Sequence, residues 1–395
     1  MRLSKLLLIT TIVSILSGQL IRLNFASSVL TLTDIFMATT IVVFIAQSLL
    51  TKKSLKIPKS IFTPTVLFIL SALASSILAI NYFTTSQIII ALSFLLRFSA
   101  YFILSVITYN LVKREQIFSY LNFLLWLGFI FSALGIIQLI FYPDLSPLQI
   151  FGWDPHQKRL VATILDPNYT GGILAIFVSI ATSLYLFKNK IIYLLITIFF
   201  IFVLFLTFSR SAYLALLISM FVVGLIKSPK VILVIISVFI LAFFSITQVK
   251  DRIMGAFAVD DTASARIESW QKAIVIAKDN PFFGVGFNTY RFAQVKYNFF
   301  TQEDPLGGHS GAGSDSSFLF VAATTGIFGL LFFVIFNLAI FKNFAQGSRE
   351  NCLKLASFAS FAGLILHTQF VNSFFFPQTM LLLWFIVGLN LVYDN

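Results

Sequence analysis

Residues 191–226 read IIYLLITIFFIFVLFLTFSRSAYLALLISMFVVGLI, and this stretch decides the class of fold. Its apolar residues are continuous and do not alternate with polar ones, which favours helices in lipid over the strands of a membrane barrel. Only Phe208-Ser209-Arg210-Ser211 interrupts the run. Since a crossing needs about 20 apolar residues, the stretch predicts two short helices or one bent hairpin, with Arg210 at the break.

The composition of the whole chain agrees with a membrane protein. Of 395 residues, 58% are hydrophobic and 11% are charged, and the mean hydropathy is +0.96. A soluble domain is about half apolar with about a quarter of its residues charged, so a soluble globular enzyme and a disordered chain are both excluded. The single cysteine, Cys352, excludes a disulfide framework, and three scattered histidines do not suggest a zinc site. We therefore predict no metal and no cofactor.

Hydropathy predicts an all-α, polytopic integral membrane protein of about 12 transmembrane helices that forms one domain over residues 1–395. The first stretch resembles a signal peptide, because Arg2 and Lys5 precede a short apolar segment. However, Gly18-Gln19-Leu20-Ile21-Arg22 is a poor cleavage site, so we interpret it as the first helix. The predicted spans are 6–21, 28–50, 61–80, 88–112, 117–142, 170–187, 191–207, 212–226, 231–247, 317–341, 355–373 and 377–392.

The charges predict the orientation of these spans. With alternating spans and a cytoplasmic N-terminus, the inner connections contain 15 basic and three acidic residues, whereas the outer loops contain 11 of each. The excess of +12 then lies on the inner face, which is the positive-inside pattern, and it argues against nucleic-acid binding. We expect both termini in the cytoplasm and two long extracytoplasmic loops, 143–169 and 248–316. Since the inner connections are short, any chemistry is expected on the outer face.

The larger outer loop combines helical and glycine-rich segments. Ser264–Lys278 has the spacing of an amphipathic helix, which in the simplest interpretation rests on the membrane surface. The Gly-x-Gly at Gly284 and Gly286 follows no strand, so it does not indicate a nucleotide site. Gly326 and Gly329 in the next span are expected to permit close helix packing.

Several polar residues beside the spans are candidate site residues. Arg210 and Arg97 are cations next to or inside apolar spans and need partners, either lipid headgroups or the phosphate that a guanidinium grips with two nitrogens. Asp315 precedes the tenth span, where a carboxylate at a helix N-terminus is often just a cap. Asn168, in the turn-forming Asp166-Pro167-Asn168, is at the mouth of the sixth span.

Four stretches in order resemble the bacterial O-antigen ligase and polymerase superfamily, and together they cover about residues 150–340. In the ligases of that superfamily, a histidine usually stands 11 residues before the first glycine of the closing Gly-x-x-Gly; here Asp315 holds that position and His309 lies six residues earlier. The four stretches are Arg159 to Asn168, Leu206 to Ala212, Ala265 to Gly286 and Asp315 to Gly329.

The resemblance implies a multi-pass enzyme of the plasma (inner) membrane that transfers or polymerises a glycan carried by a polyprenyl diphosphate. The acceptor would be a hydroxyl on a glycan, a lipid or a protein, at the outer face of the bilayer. The resemblance assigns Asp315 or His309 as the base. The residues assigned to substrate, chiefly to the diphosphate, are Arg210, Arg266, Arg159, Asn168 and Arg97.

Two other functions remain open at this point. A repeat-unit polymerase of the same superfamily differs from a ligase in its product, and its sequence need not differ. A transporter or flippase for lipid-linked glycans would group polar residues within the membrane. His367, Gln369 and Asn372 are the strongest such group, and they serve equally well as contacts between helices.

Overall fold

The computed structural model describes residues 2–25, 28–52, 54–300 and 310–395. They form 15 α-helices and one antiparallel pair of strands, β1 (Arg22–Phe25) and β2 (Ser28–Thr31). The helices are α1 Arg2–Val13, α2 Leu32–Leu50, α3 Lys59–Leu78, α4 Thr85–Leu111, α5 Ile117–Phe141, α6 Pro167–Lys188, α7 Ile191–Phe205, α8 Arg210–Ile226, α9 Lys230–Ser245, α10 Thr247–Phe257, α11 Asp261–Asp279, α12 Tyr290–Lys296, α13 Ser317–Ala345, α14 Cys352–His367 and α15 Pro377–Asp394.

The all-α prediction is confirmed, and a helix lies in each of the 12 apolar stretches. Helix length and composition support only part of the predicted 12 crossings. In the described part of the chain, six helices are long and apolar enough to cross a membrane, or seven if the bent pair α9–α10 is counted as one span. The helices α7, α8 and α14 are apolar but have only 15, 17 and 16 residues. The break at Arg210 therefore separates two short helices.

The centre of the molecule is built around α6, α14 and α15, which are buried around most of their circumference. α14 packs against α6 and α8, α15 packs against α4, and α13 packs against α3. Small residues allow the close contacts. A side chain at Gly363 would meet Ser219 Oγ at 2.2 Å, and one at Gly388 would meet Thr108 Cβ at 2.5 Å.

The segment after α1 is part of this packed structure. Gly18 has a positive φ of 52°, and any side chain there would lie 2.2 Å from the Thr163 carbonyl oxygen. The Gln19 N–H donates to that carbonyl at 2.7 Å, and the Gly18 carbonyl accepts from Gln378 Nε2 at 2.7 Å. These bonds attach the segment to the loop before α6 and to α15.

The turn at Gly284 and Gly286, which follows α11, packs into a break in α13. Gly326 has φ 62° and ψ −163°, which interrupts the helical hydrogen bonds. The Val285 and Gly286 N–H groups donate to the freed carbonyls of Ala323 and Thr324 at 3.1 and 2.9 Å. Gly284 and Gly326 both need positive φ, and a Cβ on either would lie 2.3 Å from the facing backbone. The close packing expected at Gly326 is therefore a contact between two backbones.

The expected amphipathic helix is α11, and α10 precedes it after a bend of 101° from α9. α11 packs against α13, where it buries Ala273 and Ile276. Ile267 and Ile274 remain exposed. Its apolar face is thus covered in part by the protein itself, and this contact positions the polar residues of α11 over the start of α13.

Candidate active site

Arg210 is the first residue of α8, and the local sequence explains why it starts a helix there. Phe208 adopts a positive φ of 47°, which turns the chain after α7. Ser209 then caps α8, since its hydroxyl accepts the Ala212 N–H, and it also donates to Asn168 Oδ1 at 2.7 Å. A capped helix start with two structural partners holds the backbone of Arg210 in a defined position.

The two terminal nitrogens of Arg210 have different surroundings. Nη2 donates to Asp260 Oδ1 at 2.9 Å, and the same carboxylate oxygen caps α11 by accepting the Ala263 N–H. Nη1 is buried and has no hydrogen-bond partner among the described residues. A buried donor without a partner typically costs about 1–3 kcal/mol or more. Within the described residues, half of the guanidinium fork therefore has no protein partner.

Asp315 is not the cap of α13. Ser316 has that role, because its hydroxyl accepts the Leu319 N–H, and the Asp315 N–H donates to Ser269 Oγ of α11 at 3.0 Å. Burial raises the pKa of the Asp315 carboxyl to about 6, and the charges of Asp166 and Asp154 add to this effect, while Arg266 opposes it. A carboxyl that titrates near neutrality is suited to accept a proton.

Arg266 is the counter-charge that faces Asp315 from α11. Burial lowers the pKa of this guanidinium, the Asp315 carboxylate works in the opposite direction, and the nearby Arg210 lowers it further. Arg266 therefore lies within electrostatic range of both Asp315 and Arg210, and we refer to these three residues as the cluster. One turn after Arg266, the Trp270 Nε1 is buried without a hydrogen-bond partner, and its ring packs 5.7 Å from that of Phe370. The cluster thus contains a second donor that no described residue engages.

Arg159 and Asn168 support this cluster from the loop before α6. Arg159 donates from Nε to the Thr207 carbonyl at 3.0 Å and from Nη2 to the Phe208 carbonyl at 3.2 Å, so it holds the turn before Arg210. Burial lowers the pKa of Arg159 to about 10, and the charge of Arg252 contributes. The Asn168 side chain accepts from Ser209. Both predicted substrate residues therefore have structural partners already.

Arg97 belongs to a different cluster. Its Nε lies 3.1 Å from Asp34 Oδ1, its Nη2 donates to the Val29 carbonyl, and Tyr101 donates to the same carboxylate at 3.1 Å. No hydrogen bond or ion pair within the described ranges connects it to Arg210, Arg266 or Asp315. The structure thus does not bring this predicted substrate residue to the site. His309, the other candidate base, lies outside the described residues.

The polar residues at the end of α14 connect helices to one another. His367 Nε2 lies 3.1 Å from the Asn168 carbonyl oxygen, which can only accept, so Nε2 carries the proton. Gln369 Oε1 accepts from Ser316 Oγ at 3.5 Å, and Asn372 Oδ1 accepts from Ser317 Oγ at 2.8 Å. These contacts attach the end of α14 to the starts of α6 and α13. They support the interpretation of the group as helix–helix contacts.

One group in the first loop has the composition of a metal site. Asp154, His156 and Asp166 place one ligand atom each within 4.8 Å of one another. Asp166 Oδ1 already caps α6 by accepting two N–H groups, and its Oδ2 lies 3.9 Å from His156 Nε2. Burial of Asp166 disfavours its ionised form, but the neighbouring His156, the Tyr169 N–H and Arg159 together outweigh burial and lower the pKa of Asp166. The group therefore has the ligand atoms for a metal ion, and His156 and Asp166 also lie within ion-pair distance of each other.

Sequence reasoning missed Asp260 and the unpartnered donors. The signal for Asp260 was its place before α11, where an aspartate is a usual cap. Its second role, the ion pair with Arg210, joins residues 50 positions apart. Nothing in the local sequence indicates that pairing.

The similarity to known proteins covers the part of the chain that contains Arg210, Arg266 and Asp315. Residues 194–334 match the model of the O-antigen ligase family, a range that includes Arg210, Arg266 and Asp315. The exopolysaccharide production protein ExoQ of Rhizobium meliloti (strain 1021) is 32% identical over 84 residues, which are 20% of this chain and 19% of that relative. The resemblance predicted from the four motifs is confirmed over residues 194–334, which are similar to the O-antigen ligase family.

Proposed function

We propose that this protein is a membrane glycosyltransferase that moves a glycan from a polyprenyl diphosphate to an acceptor hydroxyl at the outer face of the plasma membrane. One observation supports this most strongly. A partly buried carboxyl with a pKa near 6, Asp315, lies within electrostatic range of Arg266, which in turn lies within range of Arg210, and Arg210 has a buried nitrogen without a partner among the described residues. A base next to cations is what this reaction requires.

In the proposed reaction, the acceptor oxygen attacks the anomeric carbon of the donor sugar. The bond from that carbon to the diphosphate oxygen breaks, and its electron pair leaves with the diphosphate. The acceptor proton passes to Asp315. Arg210 and Arg266 stabilise the charge that grows on the leaving group, while Arg159 supports the Thr207–Phe208 turn that carries Arg210. Because arginines supply this charge, we expect no requirement for a metal.

A repeat-unit polymerase is the second candidate. Two observations favour it over a ligase that attaches finished chains. Asp315 occupies the position at which the ligases have histidine, and the relative from Rhizobium meliloti is named for exopolysaccharide production. A purified reaction separates the two functions, because a polymerase yields a ladder of lengthened donors and a ligase yields a single addition to a separate acceptor.

A transporter or flippase has less support. It would need polar groups that are free to bind a glycan within the membrane. His367, Gln369 and Asn372, the group that suggested transport, are engaged with Asn168, Ser316 and Ser317. Transport also predicts no chemical change in the donor, so release of polyprenyl diphosphate separates it from transfer.

The proposal is tested by turnover in lipid nanodiscs with lipid-linked glycans extracted from the host and radiolabelled in the lipid. We expect acceptor-dependent release of polyprenyl diphosphate, which Asp315→Asn abolishes and EDTA leaves unchanged. Asp279→Asn is a matched control, because Asp279 belongs to the same outer segment and contacts Tyr297 instead of the cluster. Equal activity of Asp315→Asn and the wild type would reject Asp315 as the base. No release from the wild-type protein would reject the transferase proposal.

A further inference from the structure

Helix α10 turns away from α9 by 101°, and only Ile246 separates the two helices. α9 lies in one of the predicted spans, and Leu241 and Phe244 near its end are 67% and 80% exposed. In an integral membrane protein, large exposed apolar side chains on such a segment face lipid. A helix that leaves a crossing segment at nearly a right angle runs along the plane of the membrane.

The exposed side of α10 is apolar in its second half. Met254 and Phe257 are 51% and 81% exposed, and three residues separate them along the chain, which places them on one side of the helix. Lys250 is exposed on the same side, one turn before Met254. A lysine at this position extends its ammonium to lipid headgroups while its stem stays among apolar groups. Gln248 is exposed on the opposite side, because nine residues at about 100° each separate it from Phe257 by about half a turn.

The inner side of α10 contacts the partner of Arg210. Val249 is fully buried there. The Gly255 carbonyl accepts the Asp260 N–H at 3.0 Å, and a Cβ on Gly255 would lie 2.4 Å from Asp260 Oδ2. Asp260 pairs with Arg210 at 2.9 Å. α10 therefore connects the end of α9 to this ion pair, so the depth of α10 in the bilayer determines the depth of the pair.

We propose that α10 lies in the membrane–water interface, with Met254 and Phe257 inserted among the lipid acyl chains next to the headgroups. The partner is the bilayer itself, because this surface continues the exposed apolar surface at the end of α9. Interfacial helices typically bury their apolar side about 5–10 Å into the boundary between headgroups and acyl chains. The sequence predicted such a position for α11, whose apolar face is covered in part by α13. The proposal for α10 does not depend on any reaction.

The direct test is depth-dependent quenching of a bimane label in lipid vesicles. Each variant is the full chain with Cys352→Ser and one new cysteine: Phe257→Cys, Met254→Cys or, as the matched control, Gln248→Cys. The vesicles contain phosphatidylcholine that has a nitroxide either near the headgroup or near the end of the acyl chain. The labels on Phe257→Cys and Met254→Cys should lose most of their fluorescence to the shallow nitroxide and little to aqueous iodide. The label on Gln248→Cys should show the reverse.

Other patterns of quenching overturn the proposal. Stronger quenching of Phe257→Cys by the deep nitroxide would mean that α9 and α10 form one bent span. Equal quenching of Phe257→Cys and Gln248→Cys by iodide would place the apolar side in water, and protection of Phe257→Cys from both quenchers would indicate a contact with protein. Because Met254 and Phe257 are exposed, their replacement should leave the melting temperature unchanged, which is measured for each variant. If the wild type shows no turnover, the transferase proposal fails, and the quenching experiment still decides the position of α10.

Discussion

Arg210→Lys tests the donor site directly, because the two terminal nitrogens of Arg210 have separate roles. Nη2 is paired with Asp260 at 2.9 Å, and Nη1 is buried without a described partner. A lysine ammonium is a single point charge on a flexible stem. The ammonium either keeps the ion pair with Asp260 or contacts the diphosphate. It therefore does not replace both nitrogens of Arg210 at once. We therefore expect Arg210→Lys to fail almost as severely as Arg210→Ala.

The structure sets the size of the expected effects on the reaction rate and on stability. Removal of one oriented donor from a developing negative charge costs about 100- to 1000-fold in rate, or about 2.7–4 kcal/mol. Asp260 is 34% exposed, so its pair with Arg210 contributes to stability about as much as a surface ion pair, about 0–1 kcal/mol. We expect kcat to fall about 100- to 1000-fold in both variants, while expression and thermal stability stay close to those of the wild type.

The assay is release of polyprenyl diphosphate in nanodiscs, with Arg349→Ala as the control because Arg349 is exposed and remote in sequence from the cluster. Asp260→Asn sharpens the test. Asparagine caps a helix about as well as aspartate, so α11 should stay intact while the competing charge is removed. Combined with Arg210→Lys, it should restore part of the lost rate. Full activity of Arg210→Ala would refute the reasoning and reduce Arg210 to a headgroup anchor.

Three further predictions concern the base, the fold and the orientation. Turnover should be lost as the pH falls through about 6, because the pKa of Asp315 is raised to that value and the base must be ionised; a profile without an acidic limb would contradict this. Gly326→Ala should lower the melting temperature far more than Gly347→Ala, because both have positive φ but only Gly326 meets backbone at 2.3 Å; equal losses would leave the backbone contact without a role. In a cysteine-free chain, an impermeant thiol reagent should label Gln157→Cys in intact cells and Lys190→Cys only after permeabilisation, and the reverse would overturn the orientation.

Hydropathy was sufficient to find the 12 apolar helices, whereas α10 and α12 between α9 and α13 were not predicted. A backbone in lipid must satisfy its own hydrogen bonds, so each continuous apolar run, including the two separated by Ser209 and Arg210, predicts a helix. The same pattern did not determine which helices cross the bilayer. α7, α8 and α14 are apolar but short, and their packing against one another and against α6 depends on neighbours that are distant in the sequence.

The chemistry of the site was only partly visible in the sequence. Arg210 stood out because a cation between apolar spans needs a partner, and Arg266 and Asp315 followed from motifs. The sequence did not distinguish a cap from a base at Asp315. That distinction required the tertiary structure, in which the neighbouring Ser316 caps α13 and burial raises the pKa of Asp315.

What the sequence determined by itself was local: apolar runs, charge excess, caps and motif spacing each depend on residues within a few turns of one another. What only the tertiary structure decided was the partner of each polar group. Arg97 pairs with Asp34, Arg210 pairs with Asp260, and the Asp315 N–H donates to Ser269 of α11. Such partners come from elements that are separated by dozens of residues, and the free energy of a buried charge or hydroxyl depends on which element packs over it.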